Sequence, residues 1–398
     1  HLVYPGAVHT RFLHALGVYH LSRRAMDALD RKGLLSQLNT DELEALPVVR
    51  LAALLHDVCH YAFSHAMEEL EADAIPGHHE EAAARVLESP AISAALGGSG
   101  DGARQLVMDL IRGRSSHPLQ GLVSGSLDLD KIDYLRRDSL FCGVPYGAVD
   151  VERLLESLTL AREREGAPLE VAVTEKGLSA LESLLFAKYQ MFRNVYWHHA
   201  VRSATVAFRH LVEGSLNEGL LVREDLAGPT DEELLGLIAA RMRDVPVSPV
   251  LGRLLSSLVN RNLPKRVVEL QGDELPVGMA EWVPESRELV RRVEDRLARD
   301  WGLETGSVFL DYPANPNMLQ LRLLLVRRRG EVQRLTSEGE EHLIDLPRLG
   351  RSLHQATRAL RVFCLEPRSL PDVTPLLDLL SSPAEEARMR LDEDRSIL

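Results

Sequence analysis

A short segment near residue 56 concentrates side chains that could bind a metal ion. It reads LAALLHDVCHYAFSH, from Leu51 to His65, and contains the adjacent pair His56 and Asp57 followed by His60. On a helix, His56 and His60 would lie one turn apart on one face, with Asp57 about 100° around from His56. A carboxylate directly after an apolar run is costly to bury unless it is paired or binds a metal. Imidazole and carboxylate are ordinary ligands for zinc, iron, manganese and nickel, so the segment predicts a metal site. The alternative is a helix with a capping aspartate and surface histidines.

A second segment combines carboxylates with a tyrosine at helical spacing. It reads SGSLDLDKIDYLRRDSLFCGVPYG, and on a helix Asp130, Tyr134 and Asp138 would form one stripe. Asp133 and Arg137 would form an ion pair on another face. The alternative is a solvated helix face, but the tyrosine aligned with two aspartates favours a binding site.

Composition excludes several classes of protein. The chain has 398 residues, 45% hydrophobic and 26% charged, which is enough for one large core and an appended subdomain. No apolar run reaches the roughly 18 residues of a membrane span, and no signal peptide is evident. Three distant cysteines without a CxxC pair argue against a disulfide framework or thiolate zinc site, and fit the cytoplasm. The net charge of −13 disfavours broad nucleic-acid binding but allows a small anionic ligand in a locally basic pocket.

Hydrophobic periodicity predicts mostly helices, which must position these side chains. The predicted helices are one through Phe12–Leu29, one from Leu51 to about Leu70, one through DYLRRDS, one from Gly177 to about Val212, and one from Arg351 to Phe363. Two hairpins are predicted, with turns around Gly166 and around Gly330, and LEVAV is the strand that follows the first turn. Arg11 and His14, three residues apart, share a face of the first helix.

Five segments then occur in a fixed order between Val3 and Arg202: HTRFLHALG, LLHDVCHYAFSH, HHEE, LDLDKIDYLRRDS and KYQMFRNVYWHH. Together they resemble the HD-domain deoxynucleoside triphosphate triphosphohydrolases. This family includes bacterial dGTPases and the animal dNTPase that joins an HD domain to a sterile-alpha motif. A pattern H…HD…D alone is common, but its coincidence with FSH, DYLRRDS and VYWHH is specific.

The resemblance departs from the family at a few positions. Cys59 and Ala62 stand where glycine and proline are usual, and Lys188 and His199 stand where an arginine and a lysine are usual. The turn after the metal-binding pair and the phosphate contacts of the long helix are therefore expected to differ in detail.

The resemblance also implies a role for each matching residue. The implied metal ligands are His14, His56, Asp57 and Asp130. The implied catalytic residues, around the α-phosphate, are His60, His65, His79 and Arg11. The implied substrate-binding residues are Lys131 at the phosphates, Tyr134 and Asp138 at the sugar and its 3′-hydroxyl, and Tyr196 and His198 from the long helix.

The resulting prediction is a mainly α protein with an HD-domain helical core and a small α+β C-terminal region. The predicted boundaries are 1–214 for the core, 215–304 for a helical extension and 305–398 for the α+β region with its hairpin. The predicted reaction is metal-dependent hydrolysis of a dNTP to a deoxynucleoside and inorganic triphosphate. The cofactor is a divalent transition metal (Mn, Fe, Ni or Zn), with Mg as an optional second ion. The alternatives are an HD phosphohydrolase acting on another nucleotide, either a monophosphate or a signalling nucleotide, and a non-catalytic nucleotide-sensing module.

The predicted partners are a dNTP substrate and further copies of the chain, as a dimer or tetramer. Relatives assemble in this way, and some bind activating nucleotides at subunit interfaces. The basic clusters Arg261–Arg266 and Arg327–Arg329 are candidates for such an activating nucleotide, although solvated arginines are the alternative for the second cluster. No membrane partner is expected, and the predicted location is cytoplasmic.

Overall fold

The chain folds mainly into helices, with seven short strands in two small sheets within the part that the structure describes. The computed structural model describes residues 2–58, 60–70, 74–75, 86–97, 102–272, 274–275, 279, 281–313, 322–335, 346–370, 372–393 and 396–397. The prediction of a mainly α protein is confirmed.

Short helices and one long helix build the N-terminal part. They are α1 (Arg11–Arg31), α2 (Thr40–Glu44), α3 (Leu46–Leu55), α4 (Ser64–Met67), α5 (Pro90–Gly97), α6 (Ala103–Ile111), α7 (Gln120–Val123), α8 (Leu129–Cys142) and α9 (Val151–Ser157). Helix α1 packs against α3 and α8, and their apolar faces share one core. This packing brings the first turn of α1 beside the end of α3 and the start of α8.

Further helices continue through the C-terminal part. They are α10 (Leu178–Met191), a π-helical turn (Phe192–Tyr196), α11 (His199–Asn217), α12 (Asp231–Asp244), α13 (Pro249–Val259), α14 (Arg287–Asp300), α15 (Leu346–Thr357), α16 (Thr374–Ser381) and α17 (Ala384–Asp392). Among the helices of the described ranges, none has the length and apolar character needed to cross a membrane.

The strands form two separate sheets. They are β1 (Leu158–Ala161), β2 (Glu170–Thr174), β3 (Lys265–Gln271), β4 (Val308–Asp311), β5 (Leu324–Val326), β6 (Val332–Arg334) and β7 (Ala359–Cys364). The first sheet has the order β1-β2-β5-β6, with β2 and β5 parallel and the other pairs antiparallel. The second has the order β3-β7-β4 and is antiparallel, so its central strand β7 is buried along its whole length.

Both predicted hairpins are confirmed. Strands β1 and β2 pair around the turn that contains Gly166, and β5 and β6 pair around Gly330, whose φ of 86° suits glycine. The second hairpin joins the first through β2, and Leu325 lies in the same core as α1 and α8. The predicted domain boundaries at 214 and 304 remain a prediction.

Three predicted helices end earlier than expected. Helix α3 ends at Leu55 and not near Leu70, so His60 does not lie one helical turn beyond His56. The long helix predicted from Gly177 is interrupted at Trp197 and divided into α10 and α11. Helix α15 ends at Thr357, and the residues predicted to continue it form β7. In each case the interrupted segment contains neither glycine nor proline at the break, so local sequence offered no stop signal.

Candidate metal centre and active site

Side chains from α1, from the end of α3 and from α8 converge at one point. The ligand atoms of His14, His56 and Asp57 all lie within 4.8 Å of one another. Asp130 Oδ1 lies 3.0 Å from His14 Nε2 and 3.6 Å from His56 Nε2. The four residues predicted as metal ligands are therefore brought together, although their segments are up to 116 positions apart in the chain.

The end of α3 fixes the orientation of the His56 ring. His56 is the residue after the last turn of α3, and its Nδ1 lies 2.9 Å from the carbonyl oxygen of Ala53. A carbonyl accepts only, so Nδ1 carries the proton and Nε2 keeps its lone pair. That Nε2 is buried and makes no hydrogen bond. An orphaned imidazole nitrogen facing two carboxylates fits a metal ligand.

A carboxylate holds the His14 ring from the other side. His14 Nδ1 lies 2.8 Å from Asp133 Oδ2, and Asp133 in turn accepts hydrogen bonds of 2.7 and 2.9 Å from Arg137. This leaves Nε2 of His14 directed at the cluster. A carboxylate on the outer nitrogen of a ligating histidine fixes its tautomer and raises its basicity. Helical spacing predicted only the ion pair of Asp133 with Arg137, and the contact with His14 was not predicted.

The charges around the cluster suit a cation. Burial opposes the ionisation of Asp57 and Asp130, yet histidine hydrogen bonds hold the pKa of each carboxyl well below its usual range. Burial lowers the pKa of His14, but its hydrogen bonds to Asp130 and Asp133 outweigh burial and raise that pKa to about 9. The buried carboxylates thus favour positive charge at their centre, and two imidazoles with two carboxylates fit a divalent transition metal.

Arg11 and His60 both contact the carboxylate of Asp57. Arg11 Nη1 donates to Asp57 Oδ2, and its Nη2 donates to the hydroxyl of Ser64 at the start of α4. His60 Nε2 lies 3.0 Å from Asp57 Oδ1. Two residues predicted as catalytic therefore lie directly beside the predicted ligands.

His65 lies on α4 and projects into open space, with its side chain 91% exposed. Its Nδ1 is 3.2 Å from Glu68 Oε2, and this hydrogen bond raises the pKa of His65. Glu68 also lies 3.6 Å from His60 Nδ1, so one carboxylate serves both histidines. The predicted catalytic residue His79 lies outside the described residues.

A second group lies farther along α8. Tyr196 donates from its hydroxyl to Asp138 Oδ2 at 2.7 Å, and His9 Nε2 lies 2.8 Å from Asp138 Oδ1. The rings of Tyr134 and Tyr196 meet edge to face with centroids 6.2 Å apart. The predicted stripe of Asp130, Tyr134 and Asp138 therefore has a metal-binding end and an end bounded by aromatic and polar groups.

Two lysines contribute cationic groups. Lys131 Nζ donates to Asp128 and to the carbonyl oxygen of Gly125, so its ammonium is held at the start of α8. Lys188 on α10 is buried, and burial together with the charge of Lys131 lowers its pKa to about 8.

One predicted substrate-binding residue lies elsewhere. His198 precedes the first residue of α11, and its Nδ1 accepts the backbone N–H of Ala200 at 3.3 Å. Its ring stacks beside that of His199, with centroids 4.2 Å apart. His198 does not line the cavity described next, and its role in substrate binding stays a prediction.

Most of the side chains described above line one cavity of about 1070 Å³. Its lining includes most of the predicted site residues: Arg11, His14, Asp57, His60, His65, Asp130, Lys131, Tyr134, Asp138 and Tyr196. Ligand pockets usually measure about 300–1,000 Å³, so this cavity can accommodate a nucleotide-sized molecule.

Four further residues support the site but were not assigned roles from sequence. They are His9, Ser64, Glu68 and Asp133. His9 and Ser64 lie inside the quoted motifs HTRF and FSH, and Asp133 lies three positions from Asp130, so adjacency to a ligand or a motif was the available signal. Glu68 carried no signal, because its contacts depend on the turn between α3 and α4.

Comparison with family models agrees with this arrangement. Residues 11–137 match the HD domain, and residues 149–348 match the HD associated region. The second match alone covers half of the chain.

Relatives were found in all three domains of life. The chain is 28% identical over 337 residues to an uncharacterized protein of Methanocaldococcus jannaschii, covering 84% of this chain and 65% of that protein. It is 33% identical over 208 residues to the uncharacterized protein YwfO of Bacillus subtilis, covering 52% and 45%. It is 27% identical over 287 residues to a deoxynucleoside triphosphate triphosphohydrolase SAMHD1 homolog of Dictyostelium discoideum, covering 67% and 52%. The chain thus spans about half to two thirds of the length of these relatives.

Solved structures share the fold. A phosphohydrolase of Bacteroides thetaiotaomicron has a TM-score of 0.64 at 22% identity, with 92% of this chain and 90% of that chain covered. A hypothetical protein of Aquifex aeolicus has a TM-score of 0.62 at 23% identity, with 96% and 88% covered. HD domains bind divalent metals, which agrees with the His-His-Asp cluster. The chain belongs to the family of HD-domain proteins that carry the HD associated region.

Proposed function

We propose that this protein hydrolyses deoxynucleoside triphosphates to a deoxynucleoside and inorganic triphosphate. The observation that carries the proposal is the shared cavity, which joins a metal-binding cluster to the wall of Tyr134, Asp138 and Tyr196. The Dictyostelium relative named as a dNTP triphosphohydrolase supports the same substrate class.

His14, His56, Asp57 and Asp130 would hold the metal, with manganese as the first ion to test. When bound, a divalent cation supplies Lewis-acid activation of the phosphate and of the attacking water. Asp133 and the carbonyl of Ala53 keep the two imidazoles in the tautomer that this requires. These contacts preorganise the donor atoms before substrate binds.

Arg11 and His60 act beside the α-phosphate. Both contact Asp57, which supports a guanidinium and an imidazole beside a phosphoryl group bound at the proposed metal. The guanidinium of Arg11 would offset the negative charge that develops on the phosphoryl oxygens, and His60 would contribute a hydrogen bond. Ser64 restricts the rotation of Arg11 by accepting a hydrogen bond from its second terminal nitrogen.

His65 is the candidate general acid. In the reaction, a water molecule releases a proton to solvent as its oxygen forms a bond to the α-phosphorus, the bond from that phosphorus to the 5′-oxygen breaks, and the 5′-oxygen takes the proton of His65, which solvent then restores. The hydrogen bond to Glu68 raises the pKa of His65, which favours the protonated ring that can donate. Its exposure within the cavity leaves Nε2 accessible to a substrate.

Asp138 is the candidate residue for recognising the sugar. Both of its oxygens are already oriented, one by His9 and one by Tyr196, and a carboxylate can still accept from a 3′-hydroxyl. Tyr134 and Tyr196 would limit the space around the neighbouring sugar positions.

The reaction class is tested by product analysis. Purified protein is incubated with each dNTP and Mn²⁺, and the products are separated by ion-pair chromatography. We expect deoxynucleoside and inorganic triphosphate in equal amounts. Formation of a nucleoside monophosphate with pyrophosphate would overturn the reaction class, and turnover of monophosphates or signalling nucleotides alone would overturn the substrate class.

The role of His65 is tested by substitution. His65→Gln removes the proton donor and should lower kcat by about 10²–10⁴-fold with a smaller change in KM. His20→Gln is the matched control, because His20 is an exposed histidine on α1 outside the cavity. Equal kcat values for wild type and His65→Gln would contradict the assignment.

A further inference from the structure

The cavity continues beyond the proposed catalytic groups to a wall of buried arginines. Arg202 and Arg209 extend from α11, and Arg287 is the first residue of α14. They are only 4%, 6% and 9% exposed, respectively. Glu68 contacts His60 and His65, and the next residue, Glu69, contacts Arg202 and Arg209, so the two ends of the cavity adjoin.

Arg202 is fully paired. Its terminal nitrogens donate to both oxygens of Glu69 at 2.6 and 2.9 Å. Its Nε and Nη2 donate to Asp311 at distances from 2.6 to 3.2 Å. The buried Asp311 and the half-buried Glu69 on this wall are therefore both engaged by the guanidinium of Arg202.

Arg209 and Arg287 have donors left over. Arg209 makes one long hydrogen bond of 3.2 Å from Nη1 to Glu69, and its Nε and Nη2 are buried with no hydrogen-bond partner. Arg287 donates from Nη2 to Glu213 at 3.2 Å, and its Nε is also buried without a hydrogen bond. Burial and the nearby charge of Arg287 both lower the pKa of Arg209, as expected for guanidiniums close together.

Nearby carboxylates do not resolve this surplus of donors. Glu213 does not line the cavity; its Oε2 contacts both Arg287 at 3.2 Å and Arg291 at 2.9 Å, and its Oε1 is buried without making a hydrogen bond. Glu285 does line the cavity, but it is exposed to solvent. A buried donor without an acceptor destabilises the folded protein, and more so when it is charged.

We propose that Arg209 and Arg287 form an oxyanion site for a phosphate group at this end of the cavity. The planar fork of arginine matches two phosphate oxygens, and Nε with Nη2 of Arg209 is such a fork. The phosphate belongs either to the outer part of a bound nucleoside triphosphate or to a free phosphate ligand. In the first form the inference rests on the proposed function, whereas oxyanion binding itself does not.

Binding to metal-depleted protein tests the site independently of turnover. The full chain is treated with a chelating resin and titrated calorimetrically with inorganic tripolyphosphate. We expect saturable binding that weakens by about tenfold or more in Arg209→Met and in Arg287→Met. Arg296→Met is the matched control, because Arg296 is an 8% exposed arginine on α14 that pairs with Asp300 and does not line the cavity.

Unchanged affinity in folded Arg209→Met, or no binding by wild type, would overturn the site. If Arg209→Met does not fold, as judged by circular dichroism, Arg209→Lys replaces it. This variant retains the charge and loses the fork, and it should weaken tripolyphosphate binding by several-fold. Wild-type affinity in Arg209→Lys would also overturn the site, since the geometry of the fork carries the inference.

Steady-state kinetics separate the two sources of the phosphate. If the group is the substrate's own, Arg209→Met raises the KM for dNTPs at least tenfold while Arg296→Met does not. If it is a free ligand, the KM in phosphate-free buffer is unchanged and tripolyphosphate alters the activity of wild type but not of Arg209→Met. Absence of dNTP hydrolysis by wild type would refute the proposed function while the calorimetric result still decides the oxyanion site.

Discussion

The two histidines of the cluster are held by different hydrogen-bond acceptors. His56 donates to a backbone carbonyl of α3, whereas His14 is held by the carboxylate of Asp133. Substituting a side chain does not remove a backbone acceptor, whereas substituting Asp133 removes the acceptor of His14. Mutation can therefore remove the hydrogen bond that holds the ring of His14, but not the one that holds the ring of His56.

Asp133→Asn should weaken metal binding by about 10–100-fold, because the amide no longer supplies a charged acceptor to His14 Nδ1. Helix content should change little. The metal Kd is measured by competition with a chromophoric chelator, with Asp57→Ala as the limit at which retention is lost. Asp109→Asn on α6, whose carboxylate contacts Gln105, is the control. A metal Kd equal to that of wild type in Asp133→Asn would contradict the role assigned to Asp133.

A buried carboxylate outside the cavity makes stability depend on pH. Glu213 on α11 is 5% exposed. Burial raises its pKa, but four neighbouring cationic groups outweigh burial and lower that pKa from its usual 4.5 to about 2. These neighbours are Arg287, His210, Arg209 and Arg291. Because the folded-state pKa is below the unfolded one, this stabilisation is present above about pH 4.5 and is lost as the pH falls toward 2.

Glu213→Gln should flatten the acid limb of the stability profile. The variant should lose roughly 3 kcal/mol at pH 7, and its difference from wild type should shrink between pH 4.5 and pH 2. Urea unfolding at several pH values measures this. Glu224→Gln, at an exposed position in the 3-10 helical turn Arg223–Leu226, should follow the wild-type curve. A Glu213→Gln difference that stays constant with pH would contradict the argument.

The close approach of helices α1 and α8 sets the geometry of the candidate metal centre. Gly17 lies on α1 directly opposite the Asp133–Arg137 pair, and a Cβ there would lie 2.6 Å from Asp133 Cγ. Only glycine permits this approach without moving the carboxylate. The same carboxylate holds His14, which lies one turn earlier on α1. Gly17 thus affects the geometry of the candidate metal centre through its packing against Asp133.

Gly17→Ala should destabilise the protein by about 1–3 kcal/mol and weaken metal binding as well, because Asp133 must move. Gly236→Ala on α12 is the control, since no atom lies within 4 Å of the added Cβ. That substitution should stabilise by about 0.5–1 kcal/mol and leave metal binding unchanged. Thermal unfolding and metal titration distinguish the two. A neutral Gly17→Ala would show that the two helices can separate freely.

Sequence predicted the residues on regular helices better than those in the turns between them. The stripe of Asp130, Tyr134 and Asp138 on α8 follows from helical spacing, because nothing interrupts that helix before Cys142. The position of His60 does not, because it depends on the end of α3. Phe63, just before α4, has a left-handed φ of 52°, which is unusual for a bulky residue.

Tertiary contacts explain this turn and the break in the long helix. The N–H of Phe63 donates to Asp231 at 2.8 Å, and its ring packs on Phe208 with centroids 4.4 Å apart. Both partners are more than 140 positions away in the chain, so no local pattern could reveal them. The π-helical turn that ends at Tyr196 likewise directs that tyrosine to Asp138. Such turns occur often at functional sites.

Several large apolar side chains on the surface of the protein remain in contact with solvent. Phe12 and Leu16 share a face of α1 and are 69% and 42% exposed, and Leu140 on α8 is 76% exposed. Phe186 on α10 is 51% exposed. Single exposed apolar residues are common, but an i, i+4 pair on one helix favours burial against another chain. This arrangement motivates the prediction of a homo-oligomer.

We expect light scattering to report a dimer or a two-fold-symmetric tetramer of the 44.3 kDa chain. The double variant Phe12→Glu with Leu16→Glu should shift the protein toward the monomer, because it places charge in an apolar interface. Met389→Glu is the control, because Met389 is a 60% exposed apolar residue on α17.

The basic cluster Arg261–Arg266 gives the assembly a second test. Arg261, Lys265 and Arg266 are exposed, and Arg266 pairs with Glu269 at 2.7 Å. If an activating nucleotide binds there between subunits, adding dNTP should raise the mass measured by light scattering, and Arg261→Glu with Lys265→Glu should abolish the increase. A monomer both with and without dNTP would refute the oligomer. A dNTP-dependent increase that persists in the charge-reversed variant would place the nucleotide elsewhere, because like charges at that cluster should repel its phosphates.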